Sequence, residues 1–557
     1  MNPEDEKVTY FAEADARGRR LKFGIKEKDR SRHMYVIGKT GMGKSTLLEN
    51  MAVQDIQEGR GMAFMDPHGK TADLLLEYVP KERIKDVLYF APFDTEHPIA
   101  FNVMEDVGYE KRHLVVSGLM STFKKIWQDA WSARMEYILA NTLLALLEYP
   151  GATLLSVNKM LSDKAFRKKV VDNVTDPSVK AYWTEEFAGY TDRFAAEATP
   201  AIQNKIGQFT SNPIIRNIIG QPKSSFDLRE MMDEKKIVII NLSKGRVGES
   251  NANLLGSMLI TKIYLAAMSR ADVESSISKL PPFYLYVDEF QSFANESFAD
   301  ILSEARKYKL ALTVAHQYIE QMSDEVRAAV FGNVGTMVTF RVGSYDAEVL
   351  EKEFSPKFTA EDIVNLGFVQ IYLKLMIDGV SSSPFSARTL PPIEKVGEMY
   401  KQEVVKMSQQ QFGRPKSQVE EIVQALLGIS ENTHGQPSPK REQPKRNMNN
   451  RKSTSQKEKP RLEGAGKNPF KNIVISQDGK IKEKDEKKEA VSLNQLQKKK
   501  QTKEPTKEKK NDLKSALAGL IQQPPKKEDT KKQESKDSSQ KKMREVPESQ
   551  LRNILKE

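Results

Sequence analysis

From residue 34 onward, short apolar runs alternate with longer stretches whose apolar residues recur at helical spacing. The runs are MYVIG (34–38), GMAFMD (61–66), VLYFAP (87–92), IVIINLS (237–243), FYLYVDE (283–289), LALTVAH (310–316), TMVTFRV (336–342) and VQIYLKLM (369–376). Uninterrupted runs of this length suit strands covered on both faces of a parallel sheet. Their alternation with helical stretches predicts a doubly wound α/β core. Ahead of them, VTYF and LKFGI are faintly strand-like and predict an edge element leading into that core.

The alternation stops between residues 105 and 230. That stretch is rich in Leu, Ala, Met, Lys and Glu, as in RMEYILANTLLALLEY (134–149), and holds all three tryptophans, Trp127, Trp131 and Trp183. It predicts an all-helical domain inserted into the α/β core. After about residue 407 Gln, Lys, Ser, Pro and Asn dominate, and only Phe412 and Phe470 are aromatic. Such a composition predicts disorder, because too little apolar surface is available to offset chain entropy. Three apolar islands interrupt it, IVQALLGI (422–429), LKSALAGLI (513–521) and LRNILK (551–556); they are either nascent helices that fold on a partner or chance clusters. The expected organisation is therefore an edge segment (1–30), a first core part (31–105), the helical insertion (106–230), a second core part (231–400) and a Lys-rich tail (401–557).

Charge sharpens this division. The chain of 557 residues carries a formal +11, but residues 401–557 hold 38 Lys+Arg against 22 Asp+Glu. The remaining 400 residues are net acidic, so the basic character belongs to the tail and not to a basic globular domain. The absence of cysteine excludes disulfides, cysteine zinc sites and thiol catalysis. No segment reaches the ~18 apolar residues of a membrane span. The most apolar stretch, residues 252–268, contains Lys262 and reads as a buried helix. The opening MNPEDEKVTYF lacks the apolar core of a signal peptide, which sets the expectation of a cytoplasmic protein.

The most specific chemical signal is GKTGMGKS, residues 38–45, between a strand and a helical stretch. It fits the phosphate-binding loop pattern. Gly38, Gly41 and Gly43 let the backbone curl into a nest of N–H groups, with Lys39, Thr40 and Met42 between them. Lys44 opens the helix and reaches terminal phosphates, Ser45 offers a hydroxyl to Mg²⁺, and Thr46 follows. ATP and Mg²⁺ are thus the expected ligands. A second acidic site for the metal is met by FYLYVDE, where Asp288 would hold Mg²⁺ and Glu289 would polarise the attacking water. Gln317, at the tip of the next strand, is the candidate phosphate sensor, against the plainer reading of a Gln at a loop start. Arg306 and Arg341 compete as an arginine supplied to a neighbouring subunit, and each is equally readable as a surface ion-pair partner. MDPHG (65–69) places Asp66 and His68 at the ligand-binding edge of the sheet, although a turn built from Asp, Pro and Gly explains it as plainly.

In their order, GKTGMGKSTLL, MDPHG, FDTEHPIAFN, the helical insertion, YVDEF, and SEARKYKL with AHQ resemble the FtsK–HerA superfamily of motor ATPases. Within it they are most similar to the TraD/TraG-type coupling ATPases of type IV secretion and conjugation, over roughly residues 20–395. The resemblance implies a RecA-like core with an inserted all-helical domain, assembled as a homo-hexameric ring that drives DNA through its centre. It puts the loop lysine on Lys44, the magnesium ligands on Ser45 and Asp288, the catalytic glutamate on Glu289, the sensor on Gln317 and the trans-acting arginine on Arg306. It also implies a membrane-embedded secretion complex, contacted through the helical domain or the tail. Membrane-anchored relatives carry N-terminal transmembrane helices that this sequence lacks, so the expectation is either a member recruited peripherally to a membrane partner or a translocase unrelated to secretion. In the insertion, Lys124, Lys125, Trp127, Trp131 and Arg134 are candidates for DNA or substrate selection, against the simpler reading of tryptophans in a core. A secretion or pilus ATPase with non-DNA cargo, a HerA-like DNA-end processing role, and a nucleotide-gated scaffold with a nucleic-acid-binding tail stand as alternatives.

Overall fold

All eight apolar runs form strands, joined in one mixed eleven-stranded sheet. The strands are β1 (Val8–Ala16), β2 (Arg19–Lys26), β3 (Met34–Ile37), β4 (Gly61–Asp66), β5 (Val87–Phe90), β6 (Ile237–Asn241), β7 (Phe283–Val287), β8 (Leu310–His316), β9 (Thr336–Thr339) and β10 (Gln370–Lys374). A small ribbon, β11 (Met376–Ile377) with β12 (Val380–Ser381), precedes the last strand of the sheet, β13 (Phe385–Thr389). The structure, a computed structural model, describes residues 6–16 and 19–428. The sheet order is β2-β1-β13-β10-β9-β3-β8-β7-β4-β6-β5.

From β9 to β5 every pairing is parallel. The wholly parallel sheet expected from the apolar runs needs correcting at β10. That strand runs antiparallel to both β9 and β13, and β1 and β2 continue the antiparallel edge. The physical reason lies in its side chains: Ile371 and Leu373 are buried while Gln370 is exposed, the alternation of a strand with one face covered. β13 was not expected, because FSART carries only two buried residues, Ala387 and Thr389.

Alternate residues of the parallel strands feed two cores. Met34, Val36, Met62, Phe64, Tyr284 and Tyr286 pack under the helix Lys44–Gln57 and the N-terminal hairpin. Tyr35, Ile37, Ala63, Met65, Leu285 and Val287 face a larger cluster that continues without a break into the helices between β5 and β6. Those helices include Tyr109–Ile126, Ala133–Glu148, Leu155–Ser162, Lys164–Asn173 and Asp192–Thr210. Side-chain caps start several of them: Ser132 accepts from Met135 N, and Asp163 from Ala165 N and Phe166 N. Trp127 is 9% exposed and stacks on Phe123, and Trp183 is equally interior. The apolar helix Glu249–Met268 buries Leu254, Leu255, Met258 and Ile263 in the same core. Among the described residues its stretch is the one long and apolar enough to cross a membrane.

The expectation of disorder from residue 401 is corrected as far as residue 428. Helices Lys401–Phe412 and Lys416–Leu427 pack on the body. Val404 is fully buried and Ser408 Oγ accepts from Tyr89 N of β5 at 2.9 Å. Val419 and Val423, one turn apart, cluster with Leu155 of the insertion. A few valines at helical spacing suffice to anchor amphipathic helices, and the polar average of the tail conceals them. The rest of the tail, including the islands at 513–521 and 551–556, lies outside the described residues.

One buried carboxylate ties three parts of this architecture. Asp55, fully buried near the end of the helix Lys44–Gln57, accepts two hydrogen bonds from Arg30 at 2.7 Å each, one from Arg60 at 3.0 Å and one from the Tyr286 hydroxyl at 2.6 Å. Arg30 also reaches Thr9 of β1. Removing the carboxylate leaves the Arg30 guanidinium without a counter-charge in a dry site, while Arg60 keeps Glu27 and Glu58, so Asp55→Ala is expected to cost about 3–5 kcal/mol, read from urea unfolding.

His33 supplies a pH dependence. Its Nδ1 accepts from Leu312 N at 3.1 Å, linking the start of β3 to β8, and burial holds its pKa down to about 4. The unfolded chain takes up this proton below about pH 6.5, whereas the folded chain resists it. The stabilisation is therefore complete above the ordinary histidine pKa and is lost as pH falls through it towards 4, on the order of 1.4 kcal/mol per pH unit. Thermal unfolding from pH 7.5 to 4.5 is expected to show a shallower loss of Tm in His33→Asn than in the wild type.

Candidate nucleotide site at the carboxyl edge of the sheet

The carboxyl ends of β3, β8, β7 and β4 lie side by side, and almost every residue expected to carry chemistry stands at one of them. In an open α/β sheet ligands bind along this edge. After β3 the chain turns through Gly38–Gly43 before the helix Lys44–Gln57. Gly41 and Gly43 adopt φ of 78° and 114°, a region that favours glycine. At Gly38 a Cβ would meet that of Phe340 at 2.5 Å, so no side chain fits. The helix has no side-chain cap, leaving its leading amides and the positive end of its dipole directed at the loop.

Lys44 is buried and folds back over the loop, its Nζ donating to Gly38 O at 2.6 Å and Lys39 O at 3.3 Å. Burial lowers its pKa, while Glu289 and Asp288 oppose that shift. Ser45 Oγ donates to Asp288 Oδ2 at 3.2 Å. Burial pushes Asp288 up to about 6, and the neighbouring carboxylates of Glu289 and Asp66 push the same way. A buried carboxylate whose charged form is disfavoured by like charges gains from a nearby cation.

Glu289 sits in the left-handed region at φ 48°, costly for a residue with a Cβ and held by its surroundings. Both carboxylate oxygens are engaged: Gln317 Nε2 donates to Oε1 at 2.5 Å and Gln291 Nε2 to Oε2 at 2.6 Å. Gln317 Oε1 in turn accepts from Thr40 Oγ1 at 2.8 Å. The phosphate loop, the tip of β8 and the acidic pair are therefore linked through one glutamine. Behind them His316 is fully buried, sharing a 3.1 Å hydrogen bond between Nδ1 and the Tyr35 hydroxyl. Burial holds it neutral, with its pKa down to about 3.

The remaining candidates separate. Asp66 is buried, but its carboxylate accepts from His68 N at 2.7 Å and Ala72 N at 2.9 Å, which makes it the organiser of a turn. The His68 ring is left exposed. Arg341 follows β9 on the same edge: Lys39 N donates to its carbonyl at 2.8 Å, and its Nη2 meets Met42 Sδ at 3.4 Å. Arg306 lies in the short turn Ala305–Tyr308 that precedes β8, at the opposite edge. A seven-residue strand of roughly 23 Å separates it from its own phosphate loop. In the insertion, Trp127 belongs to the core, Trp131 Nε1 donates to Glu136, and the Arg134 guanidinium covers the Phe194 ring. Lys125 is bonded to the loop after β7, so this group does not form one exposed patch. Gln291 was not anticipated, since an amide two residues beyond an acidic pair has no pattern of its own.

Among curated proteins none matches this sequence significantly. The fold is shared with the bacterial conjugative coupling protein TrwBΔN70 in its unbound monoclinic form, at TM-score 0.50 and 14% identity, covering 71% of this chain and 90% of that one. Plasmid coupling protein TrwB in complex with ADP and Mg²⁺ aligns at TM-score 0.49 and 14% identity, over 71% and 90% of the two chains. VirB4 of Thermoanaerobacter pseudethanolicus aligns at 0.42 and 13%, over 72% and 99%. A family model described as the type IV secretion-system coupling protein DNA-binding domain matches residues 22–365, a span that holds the phosphate loop, the acidic pair and the helical insertion. Because that match takes in well over half of the chain, the protein belongs to the type IV secretion-system coupling protein family.

Proposed function

We propose that the protein is an ATP-hydrolysing DNA translocase, working as a homo-hexameric ring whose pore elements move along the DNA backbone. One observation carries the reading: at the carboxyl edge of the parallel strands Lys44 folds over its loop, Ser45 is hydrogen-bonded to Asp288, and Gln317 to Glu289. The family match, which names a coupling protein and DNA binding, supports the cargo. In this reading the helices of residues 106–230 act as a domain of their own, available to select cargo or to contact a membrane-embedded secretion complex.

The roles follow from chemistry. The loop amides from Gly38 to Thr46 bind phosphate oxygens, and the Lys44 ammonium exchanges two loop carbonyls for the terminal phosphates. Ser45 and Asp288 would hold Mg²⁺, which would supply charge neutralisation at the phosphates. Glu289 orients the attacking water and takes up its proton. Gln317 leaves Glu289 for the γ-phosphate, freeing Oε1 to face that water. Arg306, too distant from its own loop, acts on the nucleotide of the neighbouring subunit. Arg341, lying against Met42, belongs to the same subunit's loop and is not the trans arginine. Asp66 shapes the turn beside the site.

Steady-state hydrolysis with and without single- and double-stranded DNA tests the function. The wild type is expected to be stimulated by DNA, less so at high salt, and Glu289→Gln to lose at least 100-fold in kcat while still binding nucleotide. Hydrolysis that ignores DNA would point to another cargo. Bound nucleotide without hydrolysis would bring forward the nucleotide-gated scaffold. For Arg306, mixing Arg306→Ala with Lys44→Ala chains, each inactive alone, is expected to restore part of the activity. An inert mixture would remove the trans role.

A further inference from the structure

The loop that follows Glu289 is gripped from the helical insertion. It passes through the turn Phe290–Ser292 to Asn295, and side chains from outside fasten it. Lys125 Nζ donates to the main-chain oxygens of Gln291 and Ala294, at 2.5 Å each. Thr122 Oγ1 accepts from Asn295 Nδ2 at 3.1 Å. These two residues stand three apart on the helix Tyr109–Ile126, hence on one face of it. From the core, Ser257 Oγ donates to Phe293 O at 3.0 Å and Lys244 Nζ to Ser292 Oγ at 2.9 Å.

Gln291 carries this grip to the reacting group. Its Nε2 donates to Glu289 Oε2, while its Oε1 is buried without a partner. The amide orientation follows from chemistry, since only the nitrogen can face a carboxylate. The other amide on Glu289, from Gln317, is tied through Thr40 to the phosphate loop and answers to the nucleotide. No hydrogen bond joins Gln291 to that loop among the described residues. The carboxylate is thus held by two glutamines with different masters, one on the nucleotide side and one on the side of the insertion.

We propose that Gln291 is a positioning residue for Glu289, that Lys125 positions Gln291, and that the helical insertion thereby sets the hydrolytic carboxylate. The inference rests on the ATPase reading above. A displacement of the helix Tyr109–Ile126 moves the Gln291 and Ala294 carbonyls, and with them the amide that aims Oε2. Because a reacting group misplaced by about 1 Å costs on the order of 100-fold in rate, a small shift in the insertion suffices to gate hydrolysis.

The experiment measures kcat and KM for ATP, and hydrogen exchange of residues 289–295, in full-length wild type, Gln291→Ala, Lys125→Met, Lys125→Arg and Gln291→Ala/Lys125→Met. Gln291→Ala is expected to lower kcat about tenfold with KM unchanged within about twofold. Lys125→Met is expected to lower kcat and speed exchange in the loop, Lys125→Arg to restore both, and the double variant to be no slower than Gln291→Ala. If the wild type hydrolyses ATP and Glu289→Gln abolishes it, yet Gln291→Ala and Lys125→Met leave kcat intact, the positioning role is wrong while the ATPase reading stands. Failure of Lys125→Arg to rescue, with kcat and KM drifting together, would reduce the contacts to packing and also overturn it. A wild type that does not hydrolyse ATP would overturn both.

Discussion

The carboxylate of Asp55 is the pin around which the site is built. It is dry, and all its hydrogen bonds come from Arg30, Arg60 and Tyr286. The helix that ends just beyond it begins at Lys44, and Tyr286 stands two residues before Asp288. The helix that begins at Lys44 and the strand that leads to Asp288 and Glu289 are therefore fastened to each other. Arg30 brings β1 into the same network through Thr9, so the N-terminal hairpin braces the site from the antiparallel side of the sheet. A buried ion network of this kind contributes geometry more than net stability, because its charges have been taken out of water.

Much of the fold was legible because the parallel strands are covered on both faces and leave unbroken apolar runs. β10 obeyed another rule, visible in QIYLK as polar and apolar residues in turn, the alternation that antiparallel pairing tolerates. The two helices after residue 400 were hidden by averaging: Val404, Val419 and Val423 are few among Lys and Gln, yet each is buried. At the site, GKTGMGKS and YVDEF could be singled out, and the structure brings them to one edge of the sheet, because phosphate and metal chemistry prescribe residue types at fixed spacing. Gln291 and Lys125 could not, since a carboxylate accepts an amide from any neighbouring loop. The arginines were separable only in three dimensions, where Arg341 contacts its own loop and Arg306 lies beyond the far end of β8.

The insertion and the core are continuous in packing, and this constrains how they communicate. One apolar cluster runs from Tyr35 and Val287 under the sheet into Leu139, Leu143 and Ile202. Polar contacts join the two as well, and among them Thr122 and Lys125 meet the loop after the acidic pair. An apolar interface transmits displacement as packing, whereas directed hydrogen bonds to main-chain carbonyls transmit it to one place. The family's helical insertion is in this way wired to the carboxylate that the proposed chemistry depends on.

The most direct measurement is a structure of the full chain with Mg²⁺ and a non-hydrolysable ATP analogue. The phosphates are expected in the loop from Gly38 to Ser45, with Mg²⁺ held by Ser45 and Asp288. Gln317 is expected to have turned from Glu289 to the γ-phosphate, with Gln291 still on Oε2. Nucleotide seated elsewhere, or seated in the loop with the Gln317–Glu289 bond intact and Gln291 released, would overturn this mechanism.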